Sequence, residues 1–131
     1  MSKDKDQANI ALCYVRLSRT INPDEENSPE RQRGNIRIWC ERHGWEMEWY
    51  EDVGGHKSGT SEKNRPAWLQ LKQRLGDKDV VALVANDMSR IHRKGWRTSK
   101  LLDDIQRWQI KLVLAGKGRE IDTSVPEGLI T

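Results

Sequence analysis

The chain has 131 residues, of which 33% are charged and 35% hydrophobic, and its formal net charge is +3. This length suits one domain with a buried core, and the six tryptophans argue against a disordered chain. No apolar stretch approaches membrane-spanning length, and residues 1–9 are polar without a signal-peptide core. We therefore expect a cytoplasmic domain that follows a polar N-terminal tail. The mildly basic charge permits a nucleic-acid partner without establishing one.

The first predicted element is a strand that starts at Ile10 and ends in the stretch Tyr14-Val-Arg-Leu-Ser18. Alternation along an extended chain places Tyr14, Arg16 and Ser18 on one side. A guanidinium then lies beside a primary hydroxyl where a strand enters a loop, which is where ligands bind open α/β sheets. Arg16 cannot act as a base, but it can hold a phosphate against the Ser18 oxygen. An isolated Arg-x-Ser is more often a plain strand end, so the rest of the chain has to decide.

A polar, acidic loop of residues 20–27 precedes the first predicted helix, in which Ser28 is the N-cap and Pro29 the first residue. The helix is expected to end at about His43, before Gly44. Gln32 lies one turn before the apolar positions, so its amide is expected to face the sheet near the end of the first strand. The predicted buried stripe consists of Ile36, Trp39, Cys40 and His43. We expect Cys13 and Cys40 to be reduced core thiols, because their spacing is not of a metal-binding type.

Residues 45–51 alternate apolar and acidic side chains, which predicts a half-exposed strand near a sheet edge, with Asp52 at its end. A loop of residues 53–63, rich in Gly, Ser and Lys, leads to a second helix that begins around Asn64-Arg-Pro66. Arg65 therefore lies at a helix start. The apolar face of this helix is predicted to be Trp68, Leu71 and Leu75, with Gly76 as the stop.

Residues 80–85 are continuously apolar, as in a central strand covered on both faces. Arg90 and Arg93 follow, three residues apart, so they can share one side of a helical turn. A helix over about residues 96–109, a strand over residues 110–115 and a charged segment over residues 116–127 complete the chain. Strands that alternate with helices predict a three-layer α/β fold, with a mostly parallel central sheet flanked by helices.

Each polar residue has an ordinary explanation when it is considered alone, such as a helix cap, a turn or a solvated charge. Their joint placement favours a function, because six of them can converge on one edge of a parallel sheet: Arg16, Ser18, Gln32, Arg65, Arg90 and Arg93. Several arginines around one hydroxyl do not match a hydrolase triad. No HExxH motif, EF-hand or Cys/His cluster indicates a metal, and arginines could supply the charge that metals supply elsewhere.

Five short motifs in this order resemble those of the catalytic domain of serine recombinases, which include resolvases, invertases and large serine integrases. The motifs are Tyr14-Val-Arg-Leu-Ser18, Ser28-Pro-Glu-Arg-Gln32, Glu51-Asp52, Asn64-Arg-Pro66 and Ser89-Arg-Ile-His-Arg93. The resemblance extends from about residue 10 to the C-terminus and implies a resolvase-like fold with a flavodoxin-like strand order. It also implies that residues 10–131 are a catalytic domain cut off before a long oligomerisation helix and DNA-binding domains.

The resemblance implies that Ser18 attacks a DNA phosphate to give a 5′-phosphoserine and a free 3′-hydroxyl, followed by strand exchange and religation. Arg16, Arg90 and Arg93 would hold the phosphoryl group, with Gln32, Asp52 and Arg65 in support. It implies no metal and no other cofactor. The implied partners are double-stranded DNA and further copies of the full-length protein, as a dimer on each site and a tetramer in the synaptic complex; no membrane is involved.

One position departs from the family pattern. An aspartate often stands directly before the first arginine of the fifth motif, whereas this chain has Ser89 there and Asp87 two residues earlier. The identity of the general acid or base is therefore left open by the sequence.

Two other hypotheses remain at this point. A non-catalytic flavodoxin-like module that binds phosphate, nucleic acid or a protein partner would have the same fold, and a trapped covalent protein–DNA adduct would distinguish it from the enzyme. A metal-dependent nuclease is disfavoured, because the acidic residues are scattered along the chain.

Overall fold

The structure, a computed structural model, describes residues 8–16, 28–52, 65–87, 91 and 100–121. The strands within these ranges are β1 (Ile10–Arg16), β2 (Glu46–Asp52), β3 (Val80–Ala85), β4 (Lys111–Leu114) and β5 (Arg119–Ile121). The helices are α1 (Pro29–His43), α2 (Pro66–Arg74) and α3 (Lys100–Arg107), with a 3-10 turn at Ala115–Lys117. None of the helices described is long and apolar enough to cross a membrane.

The five strands form one sheet in the order β2-β1-β3-β4-β5. The pairs β1–β2, β1–β3 and β3–β4 are parallel, while β5 runs antiparallel to β4. The predicted α/β class, the mostly parallel sheet and the flavodoxin-like strand order are confirmed. The continuously apolar strand is the central one, and the alternating strand of residues 45–51 is at an edge.

The sheet separates two apolar clusters, which makes the fold three-layered. The cluster on the side of α2 and α3 includes Leu12, Tyr14, Trp68, Leu83 and Ile105. The cluster on the side of α1 includes Cys13, Val15, Ile36, Cys40 and Val113. The two thiols in this second cluster are buried and not joined by a disulfide, and their Sγ atoms are 4.0 Å apart.

The caps predicted for α1 are present. The Ser28 hydroxyl accepts a hydrogen bond from the Arg31 backbone N–H at 3.2 Å. Gly44 ends the helix at φ 72°, where a side chain would be strained. The prediction that His43 is buried is wrong: the residue is exposed, and its ring stacks on Trp39 with centroids 4.8 Å apart. The reason is that His43 ends the helix, and Trp45 just beyond the turn packs against the cluster there instead.

Helix α2 presents the predicted face, since Trp68, Leu71 and Leu75 are at most 1% exposed. The helix ends at Arg74, however, before the predicted stop at Gly76. A Cβ at Gly76 would lie 3.0 Å from the Trp108 ring, so glycine here permits close packing and does not form a left-handed cap. Arg74 itself joins α2 to β2, because its Nε and Nη2 donate to Glu48 at 2.8 and 3.0 Å.

Strand β5 was not predicted, because it is only three residues long and lies in a charged segment. Gly118 at φ 66° reverses the chain after the 3-10 turn, so that Ile121 pairs with Leu112. Residues 96–99 of the third predicted helix and the predicted loops of residues 20–27 and 53–63 lie outside the described residues.

Candidate active site

The carboxyl ends of the parallel strands bring four of the predicted site residues to one edge of the sheet. Arg16 ends β1 and pairs with Asp52, which ends β2. Gln32 reaches this edge from the first turn of α1, and Arg65 directly precedes α2. The other three predicted residues, Ser18, Arg90 and Arg93, lie outside the part of the chain that the structure describes. Their proposed roles therefore stay predictions.

The Gln32 amide holds the last residue of β1 by its backbone. Its Oε1 accepts from the Arg16 N–H at 3.2 Å, and its Nε2 donates to the Arg16 carbonyl at 3.0 Å. Gln32 thus satisfies the Arg16 backbone beyond Tyr14 and Ala85, the last residue pair that β1 forms with β3. Gln32 is 0% and Arg16 only 3% exposed, so a buried side chain fixes the backbone that carries a buried guanidinium. The predicted orientation of Gln32 is confirmed.

The Asp52 carboxylate joins β1, β2 and α2. It accepts from the Tyr14 hydroxyl at 2.7 Å, the Ala67 N–H at 2.9 Å and the Trp68 N–H at 3.0 Å. Arg65 occupies the N-cap position of α2 but makes no side-chain cap bond there, and Pro66 has no N–H to satisfy. Asp52 therefore serves as the N-cap of α2 from a neighbouring strand, and its charge also favours the positive end of the helix.

Tyr14 belongs to this network although the sequence analysis gave it no role. Burial, followed by the hydrogen bond to the Asp52 carboxylate, raises the pKa of the Tyr14 phenol well above its ordinary value. The phenol accordingly stays protonated and donates. Its ring packs on Trp68 with centroids 5.1 Å apart. The sequence feature that could have indicated a role for Tyr14 is its position on the same side of the strand as Arg16.

Arg65 links the start of α2 to the fifth motif. It is 5% exposed, and its Nη1 donates to the Ile91 carbonyl at 2.8 Å. Its guanidinium carbon lies 5.3 Å from the centroid of the Trp68 ring, within the range of a cation–π contact. Ile91 stands between Arg90 and Arg93 in the sequence, so this bond connects Arg65 to the fifth motif at Ile91.

A second polar group at this edge was missed by the sequence analysis. Asn86, directly after β3, is 6% exposed, and its Oδ1 accepts from Asn35 Nδ2 at 2.8 Å. Its Nδ2 donates to the Asp87 carboxylate at 3.2 Å, and its carbonyl accepts from the Gly116 N–H at 2.8 Å. A polar residue that ends a continuously apolar strand was the signal available in the sequence.

Taken together, the edge contains two buried arginines: Arg16, whose backbone is held by Gln32 on α1, and Arg65, whose guanidinium is bonded to the Ile91 carbonyl. Such an arrangement can bind an anion and stabilise negative charge that develops on it. Among the residues described, no group of three or more His, Cys, Asp or Glu side chains could hold a metal ion.

Comparison with known proteins gives a family match and several structural neighbours. The family profile described as "Resolvase, N terminal domain" matches residues 11–131. No curated protein matches the sequence significantly.

Three of the solved structures that resemble this one are recombinases or their catalytic domains by their titles. The N-terminal catalytic domain of TP901-1 integrase has a TM-score of 0.69 at 22% identity, covering 91% of this chain and 85% of that chain. A resolvase family site-specific recombinase from Streptococcus pneumoniae has a TM-score of 0.66 at 21% identity, covering 91% and 78%. The C-terminal catalytic domain of ISC1926 TnpA, an IS607-like serine recombinase, has a TM-score of 0.63 at 20% identity, covering 79% and 67%.

At these identities the neighbours show a shared fold, whereas the family profile spans nearly the whole chain. The chain therefore belongs to the resolvase N-terminal domain family.

Proposed function

We propose that this chain is the catalytic domain of a site-specific DNA recombinase with Ser18 as nucleophile. The Ser18 oxygen bonds to a DNA phosphorus while the bond from phosphorus to the 3′ oxygen breaks, which gives a 5′-phosphoserine and a free 3′-hydroxyl. After strand exchange the 3′-hydroxyl attacks the phosphoserine and releases Ser18. One phosphodiester replaces another in each step, so the chemistry needs no nucleotide cofactor. The protein acts in the cytoplasm, as a dimer on each DNA site and a tetramer during exchange.

The observation that carries this proposal is the buried Arg16 guanidinium at the carboxyl edge of the sheet, two residues before Ser18. A phosphate that exchanges ligands gathers negative charge, and a positive group already fixed in place stabilises that charge without reorganisation. Gln32 fixes the backbone that carries this guanidinium through its two bonds to Arg16. A planar guanidinium also suits two phosphate oxygens at once.

Asp52 and Arg65 support the same site through contacts with the backbone. Asp52 anchors the first turn of α2 to β1 and β2, and Arg65 extends from that anchored point to the Ile91 carbonyl. In this proposal Arg90 and Arg93, on either side of Ile91, bind the phosphate together with Arg16. Arg65 and Asp52 are then positioning residues, because they act on the segment that carries these arginines.

The deciding experiment traps the covalent intermediate. The recombinase that contains this domain is incubated with duplex DNA carrying its target site and a 3′-bridging sulfur at the cleaved bond, because a released 3′-thiol reseals poorly. Wild type should give a protein–DNA adduct on a denaturing gel, and Ser18→Ala should give none while it still binds the DNA. Ser28→Ala is the matched control: it also removes one serine hydroxyl, but that hydroxyl caps α1, so the adduct should persist.

The other outcomes separate the alternatives. An adduct formed by Ser18→Ala would show that another residue is the nucleophile. Wild-type protein that binds DNA without any adduct would be a binding module. The adduct should also form in EDTA, whereas cleavage that EDTA abolishes and magnesium restores would indicate a nuclease.

A further inference from the structure

The two cysteines of the chain face each other in the core between α1 and the sheet. Cys13 lies in the middle of β1, where its register partners are Trp49 of β2 and Val84 of β3. Cys40 lies on the buried face of α1, and its Sγ is 4.0 Å from the Cys13 Sγ. Both residues are 0% exposed, and neither is used by the proposed mechanism. The chain contains two cysteines in all, so they have no competing thiol.

The gap between the two sulfurs is one that side-chain rotation can close. A disulfide holds its sulfurs about 2.05 Å apart, so the two Sγ atoms would have to approach each other by about 2 Å. Cysteine side chains move between staggered rotamers, and such a rotation displaces the sulfur while the backbone stays in place. The pairing of β1 on both sides and the helical bonds of α1 can therefore persist when the bond forms.

The contact makes the two thiols chemically unequal. The hydrogen bond that Cys13 donates to the Cys40 sulfur lowers the pKa of the Cys40 thiol, although burial opposes this. The same contact, followed by burial, raises the pKa of the Cys13 thiol. Because a thiolate and not a thiol is the nucleophile, Cys40 is the sulfur that would attack an oxidant first.

Partly buried side chains border this part of the core. Trp39 precedes Cys40 on α1 and Trp45 follows the helix, and both pack against the cluster that contains the two thiols. Cys40 also lies in the last turn of α1, and terminal turns open more readily than the middle of a helix. A small oxidant can therefore reach Cys40 through a local opening that leaves the sheet intact.

We propose that Cys13 and Cys40 form a redox-sensitive site, at which hydrogen peroxide converts the two thiols to a disulfide that locks α1 to β1. The Cys40 thiolate attacks one peroxide oxygen and the O–O bond breaks, which leaves a sulfenic acid. The released hydroxide takes up the proton that Cys40 gave up. The Cys13 sulfur then attacks the Cys40 sulfur, the S–O bond breaks, and the departing hydroxide leaves as water with the Cys13 proton. In sum the two sulfurs lose two electrons, the peroxide gains them, and two waters form.

The disulfide joins the same two elements that Gln32 joins at the carboxyl edge of the sheet. Cys13 is three residues before Arg16 in β1, and Cys40 is about two turns after Gln32 in α1. A closer approach of α1 to β1 at the thiols therefore changes the position of Gln32 against the Arg16 backbone. Oxidation is expected to reach the candidate active site through this link, while the modification itself does not depend on the proposed function.

Treatment of the reduced 131-residue chain with hydrogen peroxide in native buffer tests the site. The intact mass should fall by two hydrogen atoms, an alkylating reagent should label no thiol after denaturation, and dithiothreitol should reverse both changes. Because the bond joins residues 27 positions apart in sequence, it should raise the melting temperature by about 5–10 °C. The amide NMR signal of Arg16 should shift, whereas that of Glu120 on the outermost strand β5 should not.

Two matched variants identify the sulfur that reacts first. In Cys13→Ser the new hydroxyl can still donate to Cys40, so Cys40 should be oxidised only to the sulfenic acid, which dimedone labels. In Cys40→Ser the buried Cys13 thiol, whose pKa is raised, should stay unlabelled. The main readouts use the wild-type chain, so they do not depend on the folding of either variant.

Several results would overturn the inference. A folded chain that keeps both thiols in peroxide would show that the pair is not a redox site. An oxidised chain with an unchanged or lower melting temperature would show that the bond distorts the fold instead of locking it. An Arg16 signal that does not move would refute the link to the carboxyl edge, and dimedone labelling of Cys40→Ser alone would reverse the order of attack. None of these measurements involves Ser18 or DNA, so their failure is distinguishable from failure of the adduct experiment.

Discussion

Replacement of Asp52 by alanine tests the most connected side chain of the site. The change removes the acceptor of the Tyr14 hydroxyl and of the Ala67 and Trp68 N–H groups at once. Two of these donors belong to the first turn of α2, and the third is a phenol in the core. The three losses therefore affect the helix start and the β1 strand end together.

The size of the effect follows from these contacts. Loss of a helix N-cap costs about 1 kcal/mol of unfolding free energy. A buried hydroxyl without its partner, as Tyr14 would become, adds about 1–3 kcal/mol. We expect a total of about 3 kcal/mol, which for a domain of this length corresponds to a melting temperature about 10 °C lower.

Thermal unfolding followed by circular dichroism measures this loss, and Tyr14→Phe provides the comparison. That variant removes the hydroxyl alone and should cost only about 1 kcal/mol. In the Tyr14→Phe background, Asp52→Ala should lower the free energy of unfolding by clearly less, because one of the three donors to Asp52 is already absent. A melting temperature for Asp52→Ala within about 3 °C of wild type would refute the reasoning, since capping of α2 from β2 would then contribute little.

Three further predictions concern the rest of the fold. Leu83→Ala, at a fully buried position of the central strand, should lower the free energy of unfolding in urea by roughly 2–4 kcal/mol. Gln109→Gly should raise the melting temperature, because Gln109 has φ 56° and relief of that backbone strain is worth about 0.5–1 kcal/mol. The control Gln106→Gly, inside α3, should lower the melting temperature. The hydrogen bond from Arg74 lowers the pKa of Glu48 in the folded protein. The stability that this pair contributes is therefore fully present above the ordinary glutamate pKa of about 4.3. It is lost as the pH falls through the lowered pKa of Glu48 in the folded state. Arg74→Met should therefore weaken the acid dependence of stability in that range, by at most about 1 kcal/mol because the pair is partly exposed.

Local chemistry explains why most of the fold could be predicted from the sequence. Ser28, Pro29 and Gly44 signal the ends of α1 by hydrogen bonding and backbone preference that depend on neighbouring residues alone. The unbroken apolar run of β3 marks a strand that is covered on both faces. Strand β5 could not be predicted because its three residues form a strand only through pairing with β4.

The site was predictable in position but not in its contacts. The strand order predicts that the site lies at the carboxyl ends of the parallel strands. Helical spacing predicts that Gln32 faces the sheet. The roles of Asp52 and Asn86 depend on partners far along the chain, such as Tyr14 for Asp52 and Asn35 for Asn86. Hydrogen bonds of this kind leave no periodic pattern in the sequence, so only the three-dimensional arrangement displays them.

The pair of bonds between Gln32 and Arg16 also limits which residues position 32 can accept. The Arg16 N–H needs an acceptor and the Arg16 carbonyl needs a donor, and both must come from one fully buried side chain. Glutamate has the same length, but it would set a carboxylate oxygen against the Arg16 carbonyl oxygen. Asparagine has the right groups on a side chain one carbon shorter. The neutral amide at this length therefore couples α1 to β1. A shift of α1 along its axis would pull on the backbone of Arg16, two residues before the proposed nucleophile.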